Sequence, residues 1–198
     1  MDADIERFLD DSRARLGALT NQHTLKGLFL RGYLEVFRGL GGEALATRCR
    51  RAMGLDRIFD FRDYPYATIV HLAIDLAPEM APRYGGVHPW LYEMGAAATR
   101  SFLGSVPGRL FLATLRPSPK TMLRGMPQAI ASTFSFGLRA VRFTSEESAT
   151  FACREDFSAA PSNAGAVHAA LAAVGAKDIS VAIESQSLYD YDLLVSWK

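Results

Sequence analysis

Hydrophobic positions along the first two thirds of the chain fall at three- and four-residue steps, the period of an amphipathic helix. Leu25, Leu28, Phe29, Val36 and Leu40 form one such stripe, with Gly32 among them. Thr24 is placed to cap its start, and Gly39, Gly41 and Gly42 to stop it. A short basic helix over 43–53 follows, then a loop over 54–64 with aromatic anchors at Phe59 and Phe61. Pro65 stands where a first-turn proline belongs, ahead of a face made of Ile69, Leu72, Ala73, Leu76 and Met80 that Pro82 and Gly85-Gly86 end. His88-Pro89 opens the next helix, with Leu91, Met94, Ala98 and Phe102 inward and a stop at Gly104. Beyond the turn at Val106-Pro107-Gly108, a short helical piece over 109–115 leads to Ser118-Pro119, a cap-plus-proline start. The helix it opens carries Met122, Met126 and Ile130 and is kinked by Pro127.

Near Ala140 the period changes from 3.6 to 2. Residues 140–144 and 148–153 alternate around Ser145-Glu146-Glu147 and predict a β-hairpin. Residues 163–174 predict an Ala-rich helix stopped by Gly175. Ile179, Val181 and Ile183 alternate, as do Tyr189, Tyr191, Leu193, Val195 and Trp197, and these runs predict a second hairpin with its turn over 185–188. The expected fold class is therefore α+β. Roughly five or six N-terminal helices pack on a C-terminal four-stranded antiparallel sheet of ββαββ order, which the helix over 163–174 also covers. No internal repeat or low-complexity linker divides the sequence, so the expectation is a single domain over 1–198, with a helical part over 1–138 and a sheet part over 139–198.

Composition narrows the function classes. Lys+Arg 22 against Asp+Glu 21 leaves a formal charge of +1, without the basic excess of a general nucleic-acid or membrane-surface binder. Cys49 and Cys153 are too few for a disulfide framework or a four-thiolate zinc site. The start, MDADIERFLDDSRARL, has no apolar core before a cleavage site, and the charge-free stretch over 157–176 is mostly Ala, Ser and Gly, with Pro161 and Asn163 inside, rather than strongly apolar. No membrane span and a cytoplasmic location are the expectations.

Local motifs for catalysis are weak. His71, Asp75 and Glu79 sit one helical turn apart on the face opposite Leu72 and Leu76, and a solvated polar face explains them better than a metal site. Cys49 lies among Arg48, Arg50 and Arg51, a setting that can lower a thiol pKa, yet a buried small hydrophobe is the commoner use of such a cysteine. Gly39-Leu40-Gly41-Gly42 follows a helix rather than a strand and reads as a turn, not a dinucleotide cradle. The cluster of Arg48, Arg50, Arg51 and Arg57 suits an acidic partner or a solvated face. No catalytic residues are assigned, no metal site is assigned, and the expectation is that the chain is not an enzyme.

Two features suggest a pocket instead. Gly95-Ala96-Ala97-Ala98 removes side-chain volume in mid-helix, so that either another helix or a ligand can approach the backbone. Met122, Met126, Phe134 and Phe136 make a soft, aromatic-rich segment where the helices meet the sheet. Gly95, Ala98, Phe102, Met122, Met126, Phe134 and Phe136 are thus the candidate ligand-pocket residues.

Four segments carry a family resemblance: Lys26-Gly27-Leu28-Phe29-Leu30-Arg31-Gly32, Asp63-Tyr64-Pro65, the helix from Gly95 to Gly104, and the ending through Val195-Ser196-Trp197. They resemble an uncharacterised, highly paralogous myxobacterial family of proteins of about this length, over essentially the whole chain. That family brings no activity to transfer. In architecture, helices followed by ββαββ are similar to the heme-nitric-oxide/oxygen (H-NOX) sensor fold and to vinyl-4-reductase-type and TRAPP-like domains, which bind ligands between helices and sheet. The likeness implies a signalling role: a non-enzymatic sensor or adaptor that binds an apolar or amphipathic small molecule at the helix–sheet junction. The alternative is a protein–protein interaction module, a homodimer or a partner of a signalling protein, without a ligand. An H-NOX domain holds iron through a histidine on the helix shortly before the sheet and grips the heme propionates with a Tyr-x-Ser-x-Arg motif. Residues 119–133 contain no histidine and 134–154 no tyrosine, so the expectation is a heme-free chain without a cofactor.

Overall fold

The computed structural model describes residues 2–114 and 118–198. The chain divides into two compact units, one ending at Leu91 and the other running from Tyr92 to Lys198. That division falls inside the helix that spans Val87–Gly104.

The first unit holds α1 (Ala3–Ala18), β1 (Thr24–Lys26), α2 (Gly27–Ala52), β2 (Asp63–Pro65), α3 (Ala67–Tyr84) and the start of α4 (Val87–Gly104). Helix α1 turns Ile5, Phe8 and Leu9 inward, and Phe8 meets the ring of Trp90 edge-on at 5.9 Å. Asp4 accepts a hydrogen bond from the Val87 amide at 3.0 Å, so a carboxylate from α1 fills an otherwise unpaired donor at the positive end of α4. Strands β1 and β2 pair antiparallel with Leu25 opposite Tyr64. Thr24 therefore lies in a strand instead of capping a helix, Pro65 ends β2, and α2 begins at Gly27. Within α2 the backbone leaves helical geometry at Gly41 and Gly42, where φ of Gly42 is 68°. The glycine stop expected there is a break between two helical arms.

The second unit holds the rest of α4, then α5 (Val106–Thr114), α6 (Pro119–Ala131), β3 (Leu138–Phe143), β4 (Ser148–Arg154), α7 (Ala160–Ala173), β5 (Ser180–Ser185) and β6 (Tyr191–Ser196). Leu115, expected in the short helical piece, lies outside the described residues. Ser118 opens α6 with a reciprocal capping box to Thr121, as its sequence pattern implies. The sheet order is β3-β4-β6-β5, with every pairing antiparallel. The α+β expectation with a four-stranded antiparallel sheet holds. The register builds inward-facing rows across the sheet. Phe143, Ala149, Val195 and Val181 form one row, and Val141, Phe151, Leu193 and Ile183 the next. Both rows pack with Met122, Leu123 and Met126 of α6 and Val167 and Leu171 of α7 into one apolar core. The third row breaks the pattern: Arg139, Cys153, Tyr191 and Ser185.

Candidate functional site

That third row is the start of a buried polar cluster in the second unit. Arg139 lies in the inward phase of β3, and its side chain is 2% exposed. Its Nη1 donates to the carbonyl of Phe136 at 2.9 Å. Its Nη2 stands 2.7 Å from Asp156 Oδ2, a charge contact without hydrogen-bond alignment, and Nε has no hydrogen-bond partner. Asp156 is fully buried. It reaches this position because Glu155, at the end of β4, takes a left-handed φ of 51°, a conformation that costs a non-glycine residue about 1–2 kcal/mol. The turn is held by Asp190 accepting from the Glu155 amide and by the Tyr189 carbonyl accepting from the Asp156 amide.

The carboxylate is fully engaged. Oδ1 accepts from the Ser158 amide at 2.9 Å, and Oδ2 accepts from Asn163 Nδ2 at 2.9 Å. Asn163, in the first turns of α7, also donates to the Tyr191 hydroxyl at 2.5 Å. Burial first, then the Asp156 charge, holds the Tyr191 phenol well above its ordinary range. The same two causes push the Cys153 thiol up to about 12. Four aromatic rings surround the cluster. Phe134 and Phe136 each lie 5.9 Å from the Arg139 guanidinium, and an edge-to-face chain runs from Phe134 through Phe136 and Phe157 towards Tyr189.

The candidate pocket residues separate into three places. Gly95 and Ala98 lie on α4, where a Cβ at Gly95 would stand 1.8 Å from the Ser162 carbonyl. A Cβ at Gly165 would stand 1.9 Å from the Tyr92 carbonyl. Helices α4 and α7 thus cross backbone against backbone through two glycines, and Tyr92 adds a 2.5 Å hydrogen-bond contact to His168 Nδ1 across the same crossing. Met122 and Met126 are packed in the core beneath the sheet, and Phe102 is half-buried on α4. Phe134 and Phe136 belong to the cluster around Arg139. Sequence reasoning missed Arg139, Asp156 and Asn163. The available signal was a charged residue in the inward phase of an alternating strand, three residues after a Phe-Ser-Phe.

The other motifs resolve plainly. Glu79 pairs with Arg48 at 2.7 Å and with Arg83 at 2.9 Å, while His71 is exposed. Burial pushes the Cys49 thiol up to about 11, so its arginine neighbours do not make it a thiolate. No group of three or more His, Cys, Asp or Glu among the described residues could hold a metal ion, and no helix there is long and apolar enough to cross a membrane.

The family described as "Protein of unknown function (DUF2378)" matches residues 18–198. The chain belongs to the DUF2378 family. None of the curated proteins matches this DUF2378 chain. Among solved structures it is similar to the H-NOX protein from S. oneidensis in the Fe(II)NO ligation state. That match has 9% identity and a TM-score of 0.71, covering 88% of this chain and 99% of that one. It is also similar to the Fe(II) unliganded H-NOX protein from K. algicida, at 13% identity and a TM-score of 0.68, covering 88% and 97%. An oxygen binding H-NOX domain related to soluble guanylate cyclases matches at 12% identity and a TM-score of 0.67, covering 88% and 95%. These likenesses establish an H-NOX fold for the DUF2378 chain.

The residues of α6, the helix before the sheet, do not fit a histidine-held iron. Helix α6 has no histidine, the methionines it offers are packed against Phe151, Leu193 and Leu171, and His168 is engaged by Tyr92. A methionine without a second strong ligand is a weak anchor for heme iron.

Proposed function

We propose that this DUF2378 chain is a non-enzymatic sensor or adaptor that binds an apolar or amphipathic small molecule at the helix–sheet junction of its second unit. The observation that carries the reading is the H-NOX fold over 88% of the chain, since the solved proteins that share it carry Fe(II), Fe(II)NO or oxygen. In this chain the rings of Phe134 and Phe136 each stand 5.9 Å from a buried guanidinium, and half-buried Phe157 and Tyr189 continue the run of rings. Such a site pairs apolar contact area with a few fixed polar groups, the combination that small-molecule sites use. The chain is read as cytoplasmic and without a cofactor.

Native mass spectrometry of the purified chain tests this, followed by thermal-shift screening with long-chain fatty acids, isoprenoids and aromatic amphiphiles. A retained small molecule, or a melting temperature raised by one compound class and not in Phe134→Ala, is the expected result. A chain that emerges empty and shifts with no compound overturns the reading. The alternative, a homodimer without a ligand, draws on Leu138 and Leu194, which stand 68% and 38% exposed on the outer sheet face. Sedimentation equilibrium that returns a dimer, broken by Leu194→Asp, would favour it.

A further inference from the structure

The loop between α2 and β2, in the first unit, puts large apolar side chains in water. Phe61 is 77% exposed and Phe59 48%. Single exposed apolar residues need no explanation, but these two stand on backbone that is fastened at every second residue. The Gly27 amide donates to the Arg62 carbonyl and the Leu28 amide to the Asp60 carbonyl, both at 2.9 Å. The Phe59 amide donates to the Tyr64 hydroxyl at 2.9 Å, and Tyr64 is itself buried. Arg31 holds Asp60 through two contacts, at 2.6 and 2.8 Å. Gly27 leaves no room for slack, because a Cβ there would stand 2.1 Å from the Phe59 carbonyl. The loop is preorganised, and its aromatics are outside by construction.

The charges beside them are unequal. Asp60 and Asp63 are neutralised by Arg31 and Lys26. Arg51, Arg57 and Arg62 take part in no ion pair among the described residues; Arg57 and Arg62 stack on Phe59 and Tyr64 at 4.9 and 5.7 Å. An open groove of about 440 Å³ adjoins the loop in sequence, lined by Thr47, Arg50, Arg51, Gly54, Leu55 and Asp56. Arg50 in the groove is paired with Glu43, but three guanidinium groups in no ion pair, beside rigid aromatic anchors, match the composition of binding hot spots.

We propose that this loop and groove are a docking surface for an acidic segment of a partner protein that also carries apolar side chains. The carboxylates of the segment pair with Arg51, Arg57 and Arg62, and its apolar residues cover Phe59 and Phe61. Arginine's planar fork suits discrete carboxylates. A membrane surface is the poorer fit, because Asp56 sits within the patch and the chain's formal charge is only +1, whereas anionic bilayers attract clusters of unopposed basic residues. The surface lies in the first unit and stands whether or not the second unit binds a ligand.

The test is selection of peptides from a random phage-displayed library on the full chain, with the winning peptide synthesised and titrated by fluorescence anisotropy. The expected winners are rich in Asp and Glu around an apolar centre. Their affinity should fall roughly thirtyfold, the loss that defines a hot spot, in Phe61→Ala and in Arg57→Glu. It should be unchanged in Leu110→Ala, a comparably exposed apolar position at 63%. Because Phe61 is mostly in solvent, Phe61→Ala leaves the fold intact, which its melting curve verifies. No enrichment, basic or uncharged winners, or binding indifferent to Phe61 overturns the proposal. So does Phe61-dependent binding to vesicles of equal parts phosphatidylglycerol and phosphatidylcholine, or Phe61-dependent self-association.

Discussion

Asp156→Ala should be among the most damaging single substitutions in the second unit. The change removes a carboxylate that is fully buried and accepts from the Ser158 amide and Asn163 Nδ2. More seriously, it leaves the Arg139 guanidinium, 2% exposed, without its counter-charge. Breaking a buried ion pair from one side costs about 3–5 kcal/mol. For a chain of this size each kcal/mol lowers the melting temperature by about 2–4 °C, so the expected fall is roughly 6–20 °C. Removing both charges together is different, because an apolar pair of similar volume is often neutral or stabilising. Arg139→Met with Asp156→Leu should therefore recover most of the loss. Lys198→Ala, which breaks an ion pair to Asp178 exposed on both sides, should cost less than about 1 kcal/mol. Trp197, buried in the core of the second unit, reports unfolding by fluorescence in urea, with Trp90→Phe as the background. If Asp156→Ala lies within about 1 kcal/mol of the parent, or the double variant is no more stable than the single, the pairing does not hold the unit together as argued.

Gly95→Ala should destabilise by about 1–3 kcal/mol or more, since its Cβ meets backbone at the α4–α7 crossing. Gly17→Ala, with nothing within 4 Å of its Cβ, should be neutral or stabilising by up to about 1 kcal/mol in thermal melts. Both thiols have folded pKa values raised above the ordinary 9.0, to about 11 for Cys49 and about 12 for Cys153. Their contribution to stability is fully present below pH 9 and is lost as the pH rises through those values. Urea midpoints should decline above pH 9, less steeply in Cys153→Ala, and Ellman's reagent should label neither thiol at pH 8 until the chain is unfolded. Titration with hemin should give no Soret band saturating at one equivalent; a saturating band abolished by His71→Ala, His88→Ala or His168→Ala would show that iron finds a ligand here after all.

The elements of the second unit were legible because each carries its own local signal. Ser118 and Pro119 announce a helix start, and the apolar phase of 148–153 and 191–197 fixes which strand faces point inward. The β1–β2 ribbon was hidden for the opposite reason. Three-residue strands have too few positions to show a period, and their pairing joins Leu25 to Tyr64 across a long stretch of helix and loop. The mid-helix Gly95 was ambiguous in principle: small residues admit either a ligand or a neighbouring helix, and only the 1.8 Å approach of Ser162 distinguishes them. The Arg139–Asp156 pair depends on a left-handed turn at Glu155, and a non-glycine residue gives no compositional warning of that conformation.

The segment shared with the family begins at residue 18, just where α1 ends. A worker trimming the chain to that segment would discard the carboxylate of Asp4 and the ring of Phe8, and with them the partner of the Val87 amide and the edge that meets Trp90. Sequence kinship and physical self-sufficiency thus have different borders in this protein. Expression clones, deletion series and grafts into fusion proteins are best cut with α1 retained, and any defect seen in a chain lacking it belongs to the exposed flank of Trp90 before it belongs to a lost activity.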